Sequence, residues 1–345
     1  MRVRVEVFEA GLRADFSAAW GSVTTRELVL LTVQDQSGIE GYGEAAPLPG
    51  YDGATIDDVL AGLHACRPVL EAGGEPEQLR AQCAELTVMP QALAAIDLAL
   101  WDLAGRRAGV PVWQLLGAAE TAPVPANYTI ASADRAGAAR EAAAARQAGF
   151  ACVKLKAGIG DDAGRLAAVR AVAGPEIAIR LDANGAWSVP EARASLRALA
   201  PAGIELCEEP VKGLAATVEL EATTEVALAI DETTAEPGAL DRRVCEAVCL
   251  KLSRCGGITG LLAAARRARA VGYEVYLAST LDGPLGIAAA LHAASAIRPD
   301  RPCGLATLGM FQRPVGELHP RRGTLVPPPG AGLGDGLRQW YGPTA

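Results

Sequence analysis

The sequence predicts an α/β fold, a closed (β/α) barrel carrying an α+β capping domain, and three observations predict it. After Pro123, eight short apolar runs alternate with Ala/Arg/Glu-rich stretches of helical character, as parallel strands with helical crossovers require. Before Pro123 three strand-like segments come first and helical ones follow, the texture of an α+β unit. The first run of the alternating region, Val124–Ile130, is followed by no glycine-rich phosphate turn, which argues against an open doubly wound sheet. The expected division is residues 1–120 for the cap, 121–314 for the barrel, and about 315–345 returning to complete the cap.

In chain order, residues 2–9 alternate as a strand, 27–33 form a second and 38–44 a third, with a turn at Asp35-Gln36-Ser37-Gly38. Asp15–Gly21 reads as a loop with two aromatics, Phe16 and Trp20, and residues 43–51 as a Pro/Gly-rich loop ending at Tyr51. Thr55 caps a helix through Leu70, with Asp57 and Asp58 in its first turn, where the helix dipole favours them. Pro90 starts another, through Arg107, with Ala92, Ile96, Ala99, Leu100 and Leu103 on one stripe. The barrel strands are expected at 124–130, 151–156, 178–181, 204–208, 228–231, 247–252, 274–278 and 304–308. Helices are expected at 134–148, 162–173, 190–199 and 257–271, among others. Leu337–Tyr341 is expected to pack back on the first domain.

Composition narrows the function. The chain has 345 residues, half of them hydrophobic, and a net charge of −8 with acids and bases interspersed. No basic stripe suggests nucleic acid, and no apolar run reaches membrane-spanning length. The N-terminus has no apolar signal-peptide core. The eight cysteines are scattered, with no CxxC pair, and read as reduced core residues of a cytoplasmic protein. With three histidines, a His-centred metal site or triad has little to draw on.

The chemistry is expected at the C-terminal ends of the barrel strands. The second strand carries Lys154 and Lys156 on one side, because the strand period is two. Two adjacent ammonium groups disfavour each other's charge, so at least one is expected to titrate low enough to act as a base, Lys156 at the tip with Lys154 beside it lowering its pKa. The next three strands end in Asp182-Ala183-Asn184, Glu208-Glu209-Pro210 and Asp231-Glu232, and the sixth carries Lys251. Asp182, Glu208 and Asp231 repel one another unless a cation sits among them. Hard oxygen ligands without His or Cys point to Mg²⁺, with Mn²⁺ as the alternative. A carboxylate-held metal flanked by lysines suits removal of a proton α to a carboxylate, with the metal and a facing cation stabilising the enediolate. A Schiff-base lysine enzyme, or a barrel that only binds its ligand, would not need three converging acids.

The set Lys154-x-Lys156, Asp182-x-Asn184, Glu208-Glu209-Pro210, Asp231-Glu232 and Lys251 resembles the enolase superfamily in its muconate-lactonising subgroup, over nearly the whole chain. The resemblance implies a modified TIM barrel and Asp182, Glu208 and Asp231 as metal ligands, with Asn184, Glu209 and Glu232 behind them. It also implies Lys156 as the base and Lys251 as the opposite acid/base or a cation facing the intermediate; a lysine base with Mg²⁺ is a known worked example of this superfamily. Within the subgroup, Gly43–Gly50 and Gly304–Leu308 are most similar to o-succinylbenzoate synthases, which implies a lyase that dehydrates its substrate to o-succinylbenzoate in menaquinone biosynthesis. N-acylamino-acid racemases, dipeptide epimerases and muconate cycloisomerases are the alternatives. Dipeptide epimerases usually carry Asp-x-Asp at the eighth strand, whereas residues 304–312 contain no acid. Ser279, Thr280 and Asp282 after the seventh strand, with Tyr51 and Trp20 from the cap loops, are the expected substrate contacts. Phe16 joins them as a lid residue and Asn127 as a residue facing the mouth. Trp101, Trp113, His64 and His292 read as packing or surface residues. Cys255-Gly256-Gly257, opening a helix after Lys251, is either an anion site or a tight turn. The expected partner is a small-molecule carboxylate, with no nucleic acid or membrane, and a homo-oligomer is left open.

Overall fold

The computed structural model describes residues 1–342. The chain opens with a three-stranded antiparallel sheet, β1 (Arg2–Ala18), β2 (Gly21–Gln34) and β3 (Glu40–Ala45), in that spatial order. The expected loop at Asp15–Gly21 is instead the end of the β1–β2 ribbon. Pairing shifts between Gly11 and Phe16 and resumes as Phe16↔Val23 and Ala18↔Gly21. The ribbon persists because Phe16 and Ala18 are buried at its tip, which gives the alternation one apolar face.

Helices follow: α1 (Pro49–Asp52), α2 (Ile56–Ala72), α3 (Pro76–Leu86), α4 (Pro90–Ala108) and α5 (Val112–Leu115). Thr55 and Asp58 form a capping box at the start of α2. The single turn α1 falls inside the expected Pro/Gly-rich loop, and α3 carries too weak a stripe to be read from sequence. β3 lies directly against α4: a Cβ at Gly43 would stand 1.9 Å from the Ala95 carbonyl oxygen, so only glycine allows the approach. Asp102, fully buried on α4, accepts from Tyr42 N, Arg106 Nε and Leu333 N at 2.7–2.8 Å, joining β3, α4 and the C-terminal segment.

The remaining elements are β4 (Val124–Pro125), β5 (Asn127–Ile130), α6 (Arg135–Gln147), β6 (Cys152–Lys156), α7 (Asp162–Ala173), β7 (Ala178–Asp182), α8 (Val189–Leu199), β8 (Ile204–Glu208), α9 (Leu214–Glu221), β9 (Leu228–Ile230), β10 (Ala247–Lys251), α10 (Ile258–Ala270), β11 (Glu274–Ala278), α11 (Pro284–Ile297) and β12 (Thr324–Leu325). Strands β5 to β11 form one parallel sheet in sequential order. The run expected as one strand, 124–130, is divided: β4 pairs antiparallel with β12, and β5 opens the barrel sheet.

The expected eighth strand, 304–308, reduces to two bridging residues. Cys303 pairs with Ala126 and Gly304 with Ala278, closing the ring between β5 and β11. Pairing stops there because the chain turns into a 3₁₀ turn at Leu308–Met310. The last described segment, 337–341, is another 3₁₀ turn, and its Trp340 ring lies 5.5 Å from that of Phe8 on β1. No helix among the described residues is long and apolar enough to cross a membrane.

Candidate active site

Every residue of β6 is buried, and the strand lies between β5 and β7 rather than at an edge. Val153 and Leu155 belong to the apolar core, while Lys154 and Lys156 are only 7 % and 5 % exposed. A solvated lysine face is therefore excluded, and each ammonium needs an anion. The neighbouring strand ends supply them. Lys154 Nζ lies 2.9 Å from Asp182 Oδ2 and 3.0 Å from Glu208 Oε1. Lys156 Nζ donates to Asp182 Oδ2 at 2.7 Å and to Asn184 Oδ1 at 2.8 Å. Lys251, across the mouth at the end of β10, pairs with Asp231 and donates to the Tyr51 hydroxyl at 2.7 Å.

These pairs decide the protonation states. Burial alone would raise Asp182, but Lys154 and Lys156 outweigh it and hold the carboxyl well below the usual range. Asp231 is likewise lowered, its burial outweighed by Lys251 and Arg254. Glu208 stays raised by burial, with Lys154 opposing. For Lys154, burial favours the neutral amine, but Asp182 and Glu208 prevail and raise its pKa; Asp231 does the same for Lys251. The expectation that mutual repulsion makes one of the β6 lysines titrate low therefore fails for Lys154, because two carboxylates lie closer to its charge than the expectation allowed.

Asn184 and Glu209, directly behind two of these strand ends, adopt left-handed φ values of 46° and 40°. Such backbone is costly for non-glycine residues and persists where surroundings fix it. Glu209 is fixed by the Asp231 and Thr233 amides at 2.6 and 3.0 Å and by the Thr233 hydroxyl. Burial and the nearby Glu232 raise Glu209 to about 8. Glu232, raised to about 7 by burial and then Asp231, accepts from Asn184 Nδ2 at 2.8 Å through Oε1. Its Oε2 is buried without a partner.

Asp182, Glu208 and Asp231 are all at most 1 % exposed and charge-balanced by lysines; Asp182 is joined to Glu208 through Lys154, and Glu208 lies close to Asp231. One oxygen of Glu208, one of Asp231 and the Cys249 sulfur lie within 4.8 Å of one another. Burial pushes the Cys249 thiol well up, and the two carboxylates are the hard donors of this cluster. Hard carboxylate oxygens with an orphaned carboxylate oxygen behind them suit Mg²⁺.

Beside the lysines opens a small cleft. Trp20, Tyr51, Ser279 and Thr280 line it as expected, and Phe16 joins them with its ring 5.5 Å from Lys156 Nζ. Asp282 does not reach the cleft: it turns back to accept from the Thr280 amide and hydroxyl, because Leu281 between them is left-handed, φ 58°. Asn127 lies below the mouth, and the cleft takes Thr129 from that strand instead.

Three residues went unread in the sequence. Arg254 donates to the Tyr51 hydroxyl at 3.0 Å and to the Asp231 and Glu232 carbonyls at 3.1 and 2.9 Å. Tyr276 donates to Glu208 Oε2 at 2.7 Å, and Thr307 shares a 2.8 Å hydrogen bond with Ser279. Arg254 lies three residues past Lys251 and Tyr276 has the inward parity of its strand, signals that were available but weak. Cys255–Gly257 is a tight turn, its Cys255 and Gly257 amides donating to the Lys251 and Leu252 carbonyls, and the Asp97 carboxylate of α4 accepts instead from Thr259 N in the helix that follows. His292, expected in a helix as a packing or surface residue, is a fully buried packing residue.

Residues 2–117 match the mandelate racemase / muconate lactonizing enzyme N-terminal domain, and residues 137–339 match the enolase C-terminal domain-like family. The chain is 28% identical to the N-succinyl-L-Arg/Lys racemase of Bacillus cereus, over 89% of this chain and 87% of that one. The structure of that racemase superposes with a TM-score of 0.89 at 27% identity, covering 98% and 96% of the two chains. A dipeptide epimerase of Enterococcus faecalis, complexed with Mg and the dipeptide L-Leu-L-Tyr, gives 0.85 at 26% identity over 96% and 98%. Muconate cycloisomerase 1 of Acinetobacter baylyi is 30% identical over 79% of each chain.

Proposed function

Because the chain belongs to the enolase superfamily, with a mandelate racemase / muconate lactonizing enzyme N-terminal domain, we propose that it moves a proton on and off the carbon next to a carboxylate by a two-base, 1,1-proton transfer on an N-acylated amino acid. Mg²⁺ is the characteristic cofactor of this family; Asp182, Glu208 and Asp231 would hold it, and it would supply positive charge to the substrate carboxylate. Lys156 takes the α-proton on one face and Lys251 delivers one on the other, or the reverse for the mirror substrate. Lys154, protonated between Asp182 and Glu208, adds a fixed positive charge beside the base.

The observation that carries this reading is the pair of lysines lining one cleft from β6 and β10, with three strands between them, Lys156 on Asp182 and Lys251 on Asp231. Inversion needs two proton-transfer lysines; dehydration or cycloisomerisation needs one and leaves the second as a cation facing the intermediate, so the pair permits inversion and the cleft lining favours it. The cleft lining contains hydroxyls, aromatics and lysines but no acid among the described residues, which disfavours a free α-ammonium and favours an acylated nitrogen. The relatives' activities, N-succinyl amino-acid racemase and dipeptide epimerase beside muconate cycloisomerase, support an isomerase and move the leading expectation away from the lyase.

Dehydration to o-succinylbenzoate is the second reading. Leu48 and Tyr51, in or beside the synthase-like cap segment, and Gly304 and Thr307, from the synthase-like strand segment, all line the cleft. The test is incubation in D₂O with each enantiomer of an N-succinyl amino acid and, separately, with the cyclohexadiene precursor of o-succinylbenzoate. The expected result is α-deuteration with inversion of both enantiomers, abolished by chelator. Turnover of the cyclohexadiene alone would replace the first reading by the second, and undiminished activity in chelator would exclude both.

A further inference from the structure

The turn that follows Lys251 is held from outside the barrel. Its backbone is tied internally, with Arg254 N and Cys255 N donating to the Lys251 carbonyl and Gly257 N to that of Leu252, at 3.0–3.1 Å. At its far end α10 begins, and the groups capping that helix come from α4. Asp97 Oδ2 accepts from Thr259 N at 3.0 Å and Oδ1 from the Thr259 hydroxyl at 2.6 Å. Trp101 Nε1 donates to the same hydroxyl at 3.0 Å, and Arg80 lies 3.3 Å from Asp97 and over the Trp101 ring. Asp97 is 2 % exposed, and Gly257 is left-handed, φ 99°, where any Cβ would stand 2.5 Å from the carboxylate. The fit leaves the turn no room to shift toward α4, and the paired amide and hydroxyl resist a shift away.

We infer that Asp97 is a positioning residue for the Lys251 half of the reaction: by capping α10 it fixes, relative to the cap, the turn that follows Lys251, hangs on its carbonyl and carries Arg254. The inference rests on the two-lysine reading. β6, which carries Lys156, makes no contact with Asp97 in this network, so loss of the cap displaces one base and leaves the other. Misplacement by an ångström can cost about a hundredfold in a proximity-dependent step.

The experiment uses full-length Asp97→Asn and Thr259→Val with Mg²⁺ present, and follows α-proton exchange of each enantiomer in D₂O. The enantiomer whose exchange survives Lys156→Ala reports Lys251. In both variants that exchange is expected to fall about tenfold or more in kcat, while the Lys156-dependent exchange stays within about twofold. Amide hydrogen exchange, which needs no substrate, is read alongside: residues 254–259 are expected to lose protection and Val153–Lys156 to keep theirs. Equal loss on both enantiomers, or unchanged protection of 254–259, would overturn the inference. A wild-type enzyme that exchanges neither enantiomer would instead defeat the two-lysine reading, and amide exchange alone would then decide the role of Asp97. Thr259→Val keeps the carboxylate and the backbone, so it reads the contact even where Asp97→Asn folds poorly.

Discussion

Lys154 and Lys156 are chemically identical and two residues apart, yet their surroundings differ. Lys154 bridges two carboxylates and is held protonated, whereas Lys156 shares Asp182 and takes its second contact from the neutral amide of Asn184 at the edge of the cleft. Lys156→Ala is therefore expected to lower exchange of one enantiomer by at least about a thousandfold with circular dichroism unchanged; exchange of that enantiomer near the wild-type rate would remove Lys156 from the proton path. Arg254 reaches the same chemistry from the other side, since its guanidinium holds the Tyr51 hydroxyl that Lys251 also contacts. Arg254→Gln is expected to cut racemisation about tenfold and to affect any dehydration less, because only inversion needs Lys251 as a base. Equal losses in the two assays would show that Arg254 supports the site as a whole. The acids and lysines were legible because each ends an apolar run. Arg254 and Tyr276 were not, since an arginine in a turn and a tyrosine in a strand look like solvated and packed residues until the partner across the barrel is known.

Whole elements were legible where one periodicity dominated. The start of α7 at Asp162 and the stripe on α4 follow from local pattern, but the β1–β2 ribbon does not, because its tip is apolar only in the presence of the barrel mouth. The closure at Cys303–Gly304 is set by bonds to β5 and β11 rather than by its own sequence. α11 shows the consequence of such contacts. His292 on this helix takes the Trp113 amide of α5 on Nδ1 at 3.3 Å and meets the Leu333 carbonyl with Nε2 at 3.1 Å. Only the neutral ring with its proton on Nε2 serves both partners. Burial accordingly lowers its pKa from 6.5 to about 4. Between those values the unfolded chain binds the extra proton, so this contribution is complete above pH 6.5 and lost as pH falls toward 4. It amounts to about 3 kcal/mol in all, as an order of magnitude. Urea unfolding of wild type and His292→Asn from pH 7 to 4.5 is expected to show a steeper decline in the wild type. Parallel declines would mean that other groups set the acid limit.

At the scale of the molecule, the site is assembled by two bodies that a metal need not hold together. The cap reaches the barrel mouth through Tyr51, whose hydroxyl donates to Asp231 and accepts from Lys251 and Arg254, and through Asp97 at the start of α10. The three buried carboxylates already have Lys154, Lys156 and Lys251 as counter-charges, so the protein alone meets the electrostatic cost that would otherwise unfold an acidic cluster. Chelation is therefore expected to abolish turnover while leaving a cooperative unfolding transition. Mg²⁺ should then raise Tm only by linkage, about 2.7 kcal/mol at a hundredfold excess over Kd, or a few degrees in a chain of this length. Differential scanning calorimetry with and without chelator measures both. A chelated protein that melts without cooperativity would show that the lysines do not suffice and that the metal is part of the fold. The same reasoning gives a second sign: replacing Lys154 by Met leaves Asp182 and Glu208 short of one counter-charge. That variant should depend on Mg²⁺ for stability more steeply than the wild type, with a larger Tm rise at equal metal. A smaller rise would mean that Lys154 contributes to holding the metal rather than standing in for its charge.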